Sequence, residues 1–239
     1  MRRYLVLFVT LLTASFSWSQ KTHVYFFPGQ GADERLFSEI DLDTNSFQLH
    51  YFSYPIPHKK TSLKEFALKY VDSINQEVPY VLIGTSMGGM ICSELTDTLS
   101  PEKTIIISSA KERNELPHRY RFQRYIPLYA IVPKRMIHMG AKIMQPLVEP
   151  DSNKNKEVFS AMLSQKDPKY MKRSVRMIIN WEKKNHDPSI IHIHGEKDNT
   201  LPIKYADPDI IIENGSHMMT LTRGQELSKI INELLPVEN

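Results

Sequence analysis

The sequence predicts an α/β fold: a mostly parallel sheet of about six strands, flanked by helices, with a helical cap inserted before the last two strands. Three observations predict it. From His23 onward, short β-branched or aromatic runs alternate with longer segments of helical spacing, the rhythm a parallel sheet needs because each strand requires a crossover to its neighbour. Pro28, Pro55, Pro79, Pro101, Pro188 and Pro208 fall between these runs, where a residue without an N–H does least damage. No internal repeat or low-complexity linker interrupts the chain, whose 239 residues suffice for one domain with a substantial core.

The predicted strands are His23–Phe27, Gln48–Tyr54, Tyr80–Gly84, Lys103–Ser108, Ser189–His194 and Asp209–Glu213. Helices are expected over Ser62–Gln76, Met87–Leu99 and Met218–Leu235. From about 111 to 184 there is helical patterning but no strand, with Pro117, Pro127, Pro133, Pro146, Pro150 and Pro168 punctuating it. This stretch reads as a cap placed between two strands of the sheet.

Residues 1–19 stand apart from the domain. Met1-Arg2-Arg3 is a basic start, Tyr4 to Phe16 is apolar, and Ser17-Trp18-Ser19 supplies small residues for a signal peptidase, so cleavage after Ser19 is expected. The apolar run falls short of the roughly 20 residues a bilayer span requires, and no cysteine follows it to accept a lipid. A single domain over 20–239, free and exported to the periplasm or the medium, is the expectation. The formal charge is +3; Arg2 and Arg3 leave with the leader, so the mature chain carries +1. That near balance points away from nucleic acid as a partner.

The chemistry is concentrated in Gly84-Thr85-Ser86-Met87-Gly88-Gly89, which follows an apolar strand and opens a helix. A strand turning sharply into a helix forces the turn residue into a strained conformation, and glycines two before and two after it remove clashing Cβ atoms. The helix starting at Met87 points free N–H groups at the same spot, favouring negative charge there. A serine hydroxyl is a weak nucleophile until a base takes its proton and a carboxylate fixes that base. Both are found late in the chain. Asp198 lies in the loop after the strand Ser189–His194, and His217 follows the strand Asp209–Glu213. The carboxyl edge of a parallel sheet, where both fall, is where such folds build sites.

Taken together, these motifs resemble the α/β-hydrolase-fold superfamily, in its order of nucleophile, acid and histidine: Ser86, Asp198, His217. The likeness spans His23 to Pro236. It implies a serine hydrolase acting on carboxylic esters or thioesters through an acyl-enzyme, without metal or organic cofactor. It also implies an oxyanion hole from the backbone N–H groups of Met87 and of Gln30, the latter in Phe27-Pro28-Gly29-Gln30-Gly31; both act through backbone, so side-chain identity is expected to matter little. The chain departs from the family in placing Pro28 where many relatives have histidine, and in a sheet trimmed to about six strands. Dehalogenases and epoxide hydrolases carry aspartate at the elbow, where this chain has Ser86. Two other readings share the residues: a non-catalytic ligand-binding protein, and a triad enzyme of different chemistry, carbon–carbon bond hydrolysis or acyl transfer.

Other residues are weighed against these. Glu196 and Asp207 are alternative acids. His192 and His194 share one face of a strand, as two metal ligands might be arranged, but lie inside the strand without further ligands nearby, so a packed or hydrogen-bonded pair is expected. Cys92, the only cysteine, lies on the apolar face of the helix after Ser86 and is read as a packing residue. Between Lys111 and Lys142 eight lysines and arginines face two acids, interleaved with Tyr120, Phe122, Tyr125, Tyr129, Ile131, Met136, Ile137 and Met139, with Met144 just beyond. This is either a solvated cationic face or a lid favouring an apolar substrate with a negative group, the methionines conforming to varied shapes. A lid resting on a membrane surface is the third reading.

Overall fold

A computed structural model describes residues 20–131, 155–165 and 167–235. Six strands form one all-parallel sheet in the order β2-β1-β3-β4-β5-β6. They are β1 Thr22–Phe27, β2 Phe47–Tyr51, β3 Tyr80–Thr85, β4 Lys103–Ile107, β5 Ile190–Gly195 and β6 Ile210–Ile212. The expected leader over 1–19 and Met136, Ile137, Met139 and Met144 lie outside the described residues.

The alternation of side chains along each strand divides the core in two. Val24, Phe26, Val81, Ile83, Ile105, Ile107, Ile193 and Ile212 face one side, with Leu227 and Ile231 packed among them. Tyr25, Phe27, Tyr80, Leu82, Ile106 and Ile190 face the other, against Leu63, Phe66, Met90, Ile91 and Leu95. Helices therefore cover both faces, which is why β3 is apolar and buried along its whole length rather than alternating with polar residues.

The helices are α1 Leu63–Ala67, α2 Met87–Thr96, α3 His118–Phe122, α4 Leu128–Ile131, α5 Lys156–Ser164, α6 Pro168–Ile179, α7 Met219–Thr222 and α8 Gly224–Leu234. Between β4 and β5 the described elements are all helical. Among the described residues no helix is long and apolar enough to cross a membrane.

Several boundaries differ from the sequence reading. The helix expected over Ser62–Gln76 begins with a capping box between Ser62 and Glu65, but after Ala67 it tightens into a 3-10 helix, Leu68–Ser73. It stops where Ile74 turns extended and Tyr25 Oη takes the Asn75 N–H. Strand β2 ends at Tyr51, three residues early: the Phe52 amide still donates to Phe26 O, whereas the Tyr54 side chain turns inward to donate to Pro28 O at 2.9 Å. The last helix is two, broken at Arg223, whose φ of −129° lies outside the helical range, with the weak helix former Gly224 following.

The junction of β3 and α2 is the tightest in the sheet. A Cβ at Gly84 would fall on the backbone of Gly88 and Gly89, and a Cβ at Gly88 on the carbonyls of Phe27 and Pro28. Gly88→Ala is accordingly expected to destabilise the fold by about 2 kcal/mol or more, read as a lowered urea midpoint. An unchanged midpoint would show that the helix can withdraw from β1 at little cost.

Candidate active site

Ser86 sits at that junction with φ 54° and ψ −120°, a conformation a non-glycine residue adopts only when its surroundings impose it. They do. Its amide donates to Ile107 O at 3.0 Å on the neighbouring strand, and its carbonyl accepts from Ser109 Oγ at 2.6 Å and from the Gly89 and Met90 amides inside α2. The strand, the next strand and the helix together fix the Ser86 backbone and so the direction of its Cα–Cβ bond.

That direction leads to His217. Its Nε2 lies 3.0 Å from Ser86 Oγ, and its Nδ1 lies 2.7 Å from Asp198 Oδ2. A carboxylate oxygen can only accept, so Nδ1 carries the proton and the Nε2 lone pair faces the Ser86 hydroxyl. Three residues from three separate loops are thus joined in one hydrogen-bonded chain at the carboxyl edge of the sheet. Asp198 is 2% exposed and His217 7%, so water competes little for these bonds.

Asp198 follows β5 directly, and its other oxygen accepts from the Thr200 and Leu201 amides at 2.8 and 2.7 Å. Neither alternative acid reaches His217. Glu196 is exposed and accepts from the Asn214 amide, and Asp207 is held through its backbone, its amide donating to Glu115 and its carbonyl accepting from Lys111 Nζ.

Behind Asp198 lies the histidine pair. His194 Nε2 donates to Leu201 O at 2.7 Å and stands 3.5 Å from Asp198 Oδ2. Its Nδ1 is therefore an acceptor, and His192 Nε2, at 2.9 Å, donates to it. The pair buttresses the acid loop from within the sheet. Cys92 is fully buried in the core, and burial pushes its thiol well above the ordinary value.

The loop after β1 abuts the serine. A Cβ built on Gly29 would lie 3.3 Å from Ser86 Cβ. Among the described residues no protein acceptor takes the backbone N–H of Gln30 or of Met87. The Gln30 side chain, whose identity was expected to matter little, is engaged: its Nε2 donates to Met171 O at 3.0 Å and to Ser174 Oγ at 2.8 Å, both in α6.

In the basic segment before 131, Arg119 and Arg124 are exposed, yet several of the cations bond to the fold itself. Arg119 donates through Nη2 to the Asn199 and Thr200 carbonyls of the acid loop, with its guanidinium 5.3 Å from the Tyr120 ring centroid. Arg113 donates to Ile179 O and Trp181 O, Lys111 to Asp207 O, and Arg124 pairs with Glu182. Arg119, Arg113 and Lys111 thus terminate backbone carbonyls of the protein itself, whereas Arg124 meets a side-chain carboxylate. No local signal in the sequence announces these contacts, because each joins residues far apart in the chain.

No protein-family model matches the sequence. No curated protein matches it either. Solved structures do match. A lipase-esterase related protein from Clostridium acetobutylicum is 15% identical, with a TM-score of 0.66 over 89% of this chain and 93% of that one. A thermophilic esterase from Thermogutta terrifontis is 12% identical, with a TM-score of 0.67 over 91% and 90%. An enol-lactonase from Burkholderia xenovorans is 14% identical, with a TM-score of 0.67 over 90% and 92%. The chain has the fold of these α/β-hydrolase structures.

The buried histidines give stability a pH dependence. Burial, then the mutual proximity of the pair, holds His192 well below the ordinary value of 6.5, with Lys111 and His186 adding to the effect. Burial also lowers His194, although Asp198 opposes it. The unfolded chain then binds more protons in acid, so this contribution is complete above about pH 6.5 and is lost as the pH falls below it. The urea midpoint is expected to drop between pH 7 and pH 5, and His192→Gln to flatten that slope. Parallel slopes in the two proteins would exclude His192 as its source.

Proposed function

We propose that the protein is an exported serine hydrolase that cleaves carboxylic esters or thioesters through an acyl-enzyme on Ser86. The observation that carries this reading is the unbroken chain Ser86–His217–Asp198 beside two unengaged amides. Ser86 Oγ attacks the carbonyl carbon while His217 Nε2 takes the hydroxyl proton; Asp198 keeps the imidazole in the required tautomer and stabilises the cation that forms. The Gln30 and Met87 N–H groups receive the oxyanion. Collapse of the tetrahedral species expels the alcohol or thiol, which takes the proton from His217. Water, deprotonated by the same nitrogen, then attacks the acyl-enzyme, releases the acid and returns the proton to Ser86.

Esterases and a lactonase among proteins of the same fold agree with acyl chemistry. Residues 111–184 are assigned to a cap over this site. Export rests on the basic start, apolar stretch and small residues within 1–19, and the N-terminal peptide of the secreted protein, read by mass spectrometry, should begin at Gln20.

A fluorophosphonate probe should label the native chain and leave Ser86→Ala unlabelled. Failure of well-folded native protein to react would favour a ligand-binding role. With p-nitrophenyl esters and acyl thioesters as substrates, Ser86→Ala should lose at least about 10³-fold in kcat. Because Arg119 grips the acid loop, Arg119→Ala should lower kcat on neutral and acidic esters alike, by about tenfold. A loss confined to acidic esters, seen as raised KM, would instead make Arg119 part of an anion-selecting lid.

A further inference from the structure

Gln30 occupies a loop in which only a backbone N–H is needed, yet its side chain crosses to the inserted segment and spends both amide protons there. Nε2 meets Met171 O at 3.0 Å and Ser174 Oγ at 2.8 Å. A carbonyl oxygen can only accept, so the nitrogen end of the amide must face Met171, and its orientation is fixed by chemistry. Ser174 is fully buried and donates its own proton back into α6, to Tyr170 O or Met171 O at 2.9 and 3.0 Å, which leaves a lone pair for Gln30.

The far end of this contact is firmly held. Helix α6 starts on a side-chain cap from Asp167, with Pro168 in its first turn, and buries Tyr170, Met171, Met177 and Ile179. Arg173 donates to Pro57 O at 2.8 Å, and Arg113 takes the Ile179 carbonyl at the helix end. On the other flank of the same loop, Tyr54 Oη holds Pro28 O. Gln30 is thus fastened through its side chain to an anchored helix, and the loop is fastened two residues earlier to the segment after β2.

We infer that Gln30 is a positioning residue whose side chain, clamped by Met171 O and Ser174 Oγ, aims its own backbone N–H at the oxyanion. The inference rests on the acyl-transfer reading of Ser86. A small error in the aim of a preorganised donor costs rate rather than substrate affinity, because the donor meets full negative charge only in the transition state.

The test compares native protein, Gln30→Ala, Gln30→Glu, Ser174→Ala and the double variant Gln30→Ala/Ser174→Ala on one p-nitrophenyl ester. Gln30→Glu conserves shape but sets a carboxylate oxygen against the Met171 carbonyl. The two Gln30 variants should lose about 10- to 100-fold in kcat, and Ser174→Ala several-fold, with KM within about twofold of native. Binding of a trifluoromethyl ketone, which mimics the tetrahedral adduct, should weaken in parallel with kcat. The double variant should be no slower than Gln30→Ala, since both changes break one contact. Unchanged kcat in Ser174→Ala and in either soluble Gln30 variant overturns the inference, as does a rise in KM that accounts for the whole loss. Should the Gln30 variants not fold, Ser174→Ala decides alone. Failure of the native protein to turn over any ester, or to label at Ser86, refutes the underlying reading instead, and is recognised before any variant is compared.

Discussion

The contact on which the site depends is the approach of the first turn of α2 to the ends of β1 and β3, close enough that no side chain fits between them. Gly84 and Gly88 make it; a methyl at either would meet backbone. This approach bends the chain at Ser86 into a conformation that costs of order 1–3 kcal/mol. The cost is offset because β3 and α2 are buried along their whole lengths. It also sets what lies within reach of the hydroxyl. The loop after β1 comes into contact with Ser86, and the helix amide of Met87 stays beside it. Separation of the helix from the sheet would displace the serine and the Met87 donor together, away from Gln30.

The acid side of the site is held differently, by polar groups rather than packing. Asp198 accepts from two amides of its own loop, the carbonyls of that loop are taken by Arg119 and His194, and the histidine behind is oriented by a second histidine. Glu115 works in the same manner. Burial raises its pKa, while the Lys111 and Asp207 amides that donate to it pull the other way. The segment entering the insertion after β4 is thus built into the edge of the sheet, its charged groups satisfying backbone in the loop after β5 and just before β6. A cationic segment can thus serve the fold as well as face solvent, since Arg113, Arg119 and Lys111 each donate to backbone carbonyls.

The contrast between these two sides explains what could be read from the sequence. The placement of Ser86, Asp198 and His217 on one edge was legible because each lies in the turn or loop that follows a strand, so a correct list of strands brings the three together. The six strands were legible from their apolar runs, with errors only at the ends, where β2 yields to the inward turn of Tyr54 and the first helix tightens so that Phe66 and Tyr70 can pack. Arg119, Ser174 and the side chain of Gln30 were not legible, since their partners lie 80, 144 and 141 residues away and no periodicity relates them. One hint was present. A long amide in a glycine-rich loop that needs only backbone is chemically surplus there, and a surplus donor near a buried site usually has an acceptor waiting.

A consequence for specificity follows from where the supports end. The acid loop is tied to α3 through Arg119, and the loop after β1 is tied to α6 through Ser174, so both flanks of the proposed catalytic centre rest on the insertion. An insertion that merely covered the site could vary along its length with effects on substrate binding alone. Here, substitutions that shift α3 or α6 must alter the alignment of Asp198 or of the Gln30 amide as well, and so act on rate. A change of substrate preference made through α3 or α6 is therefore expected to carry a change of rate with it.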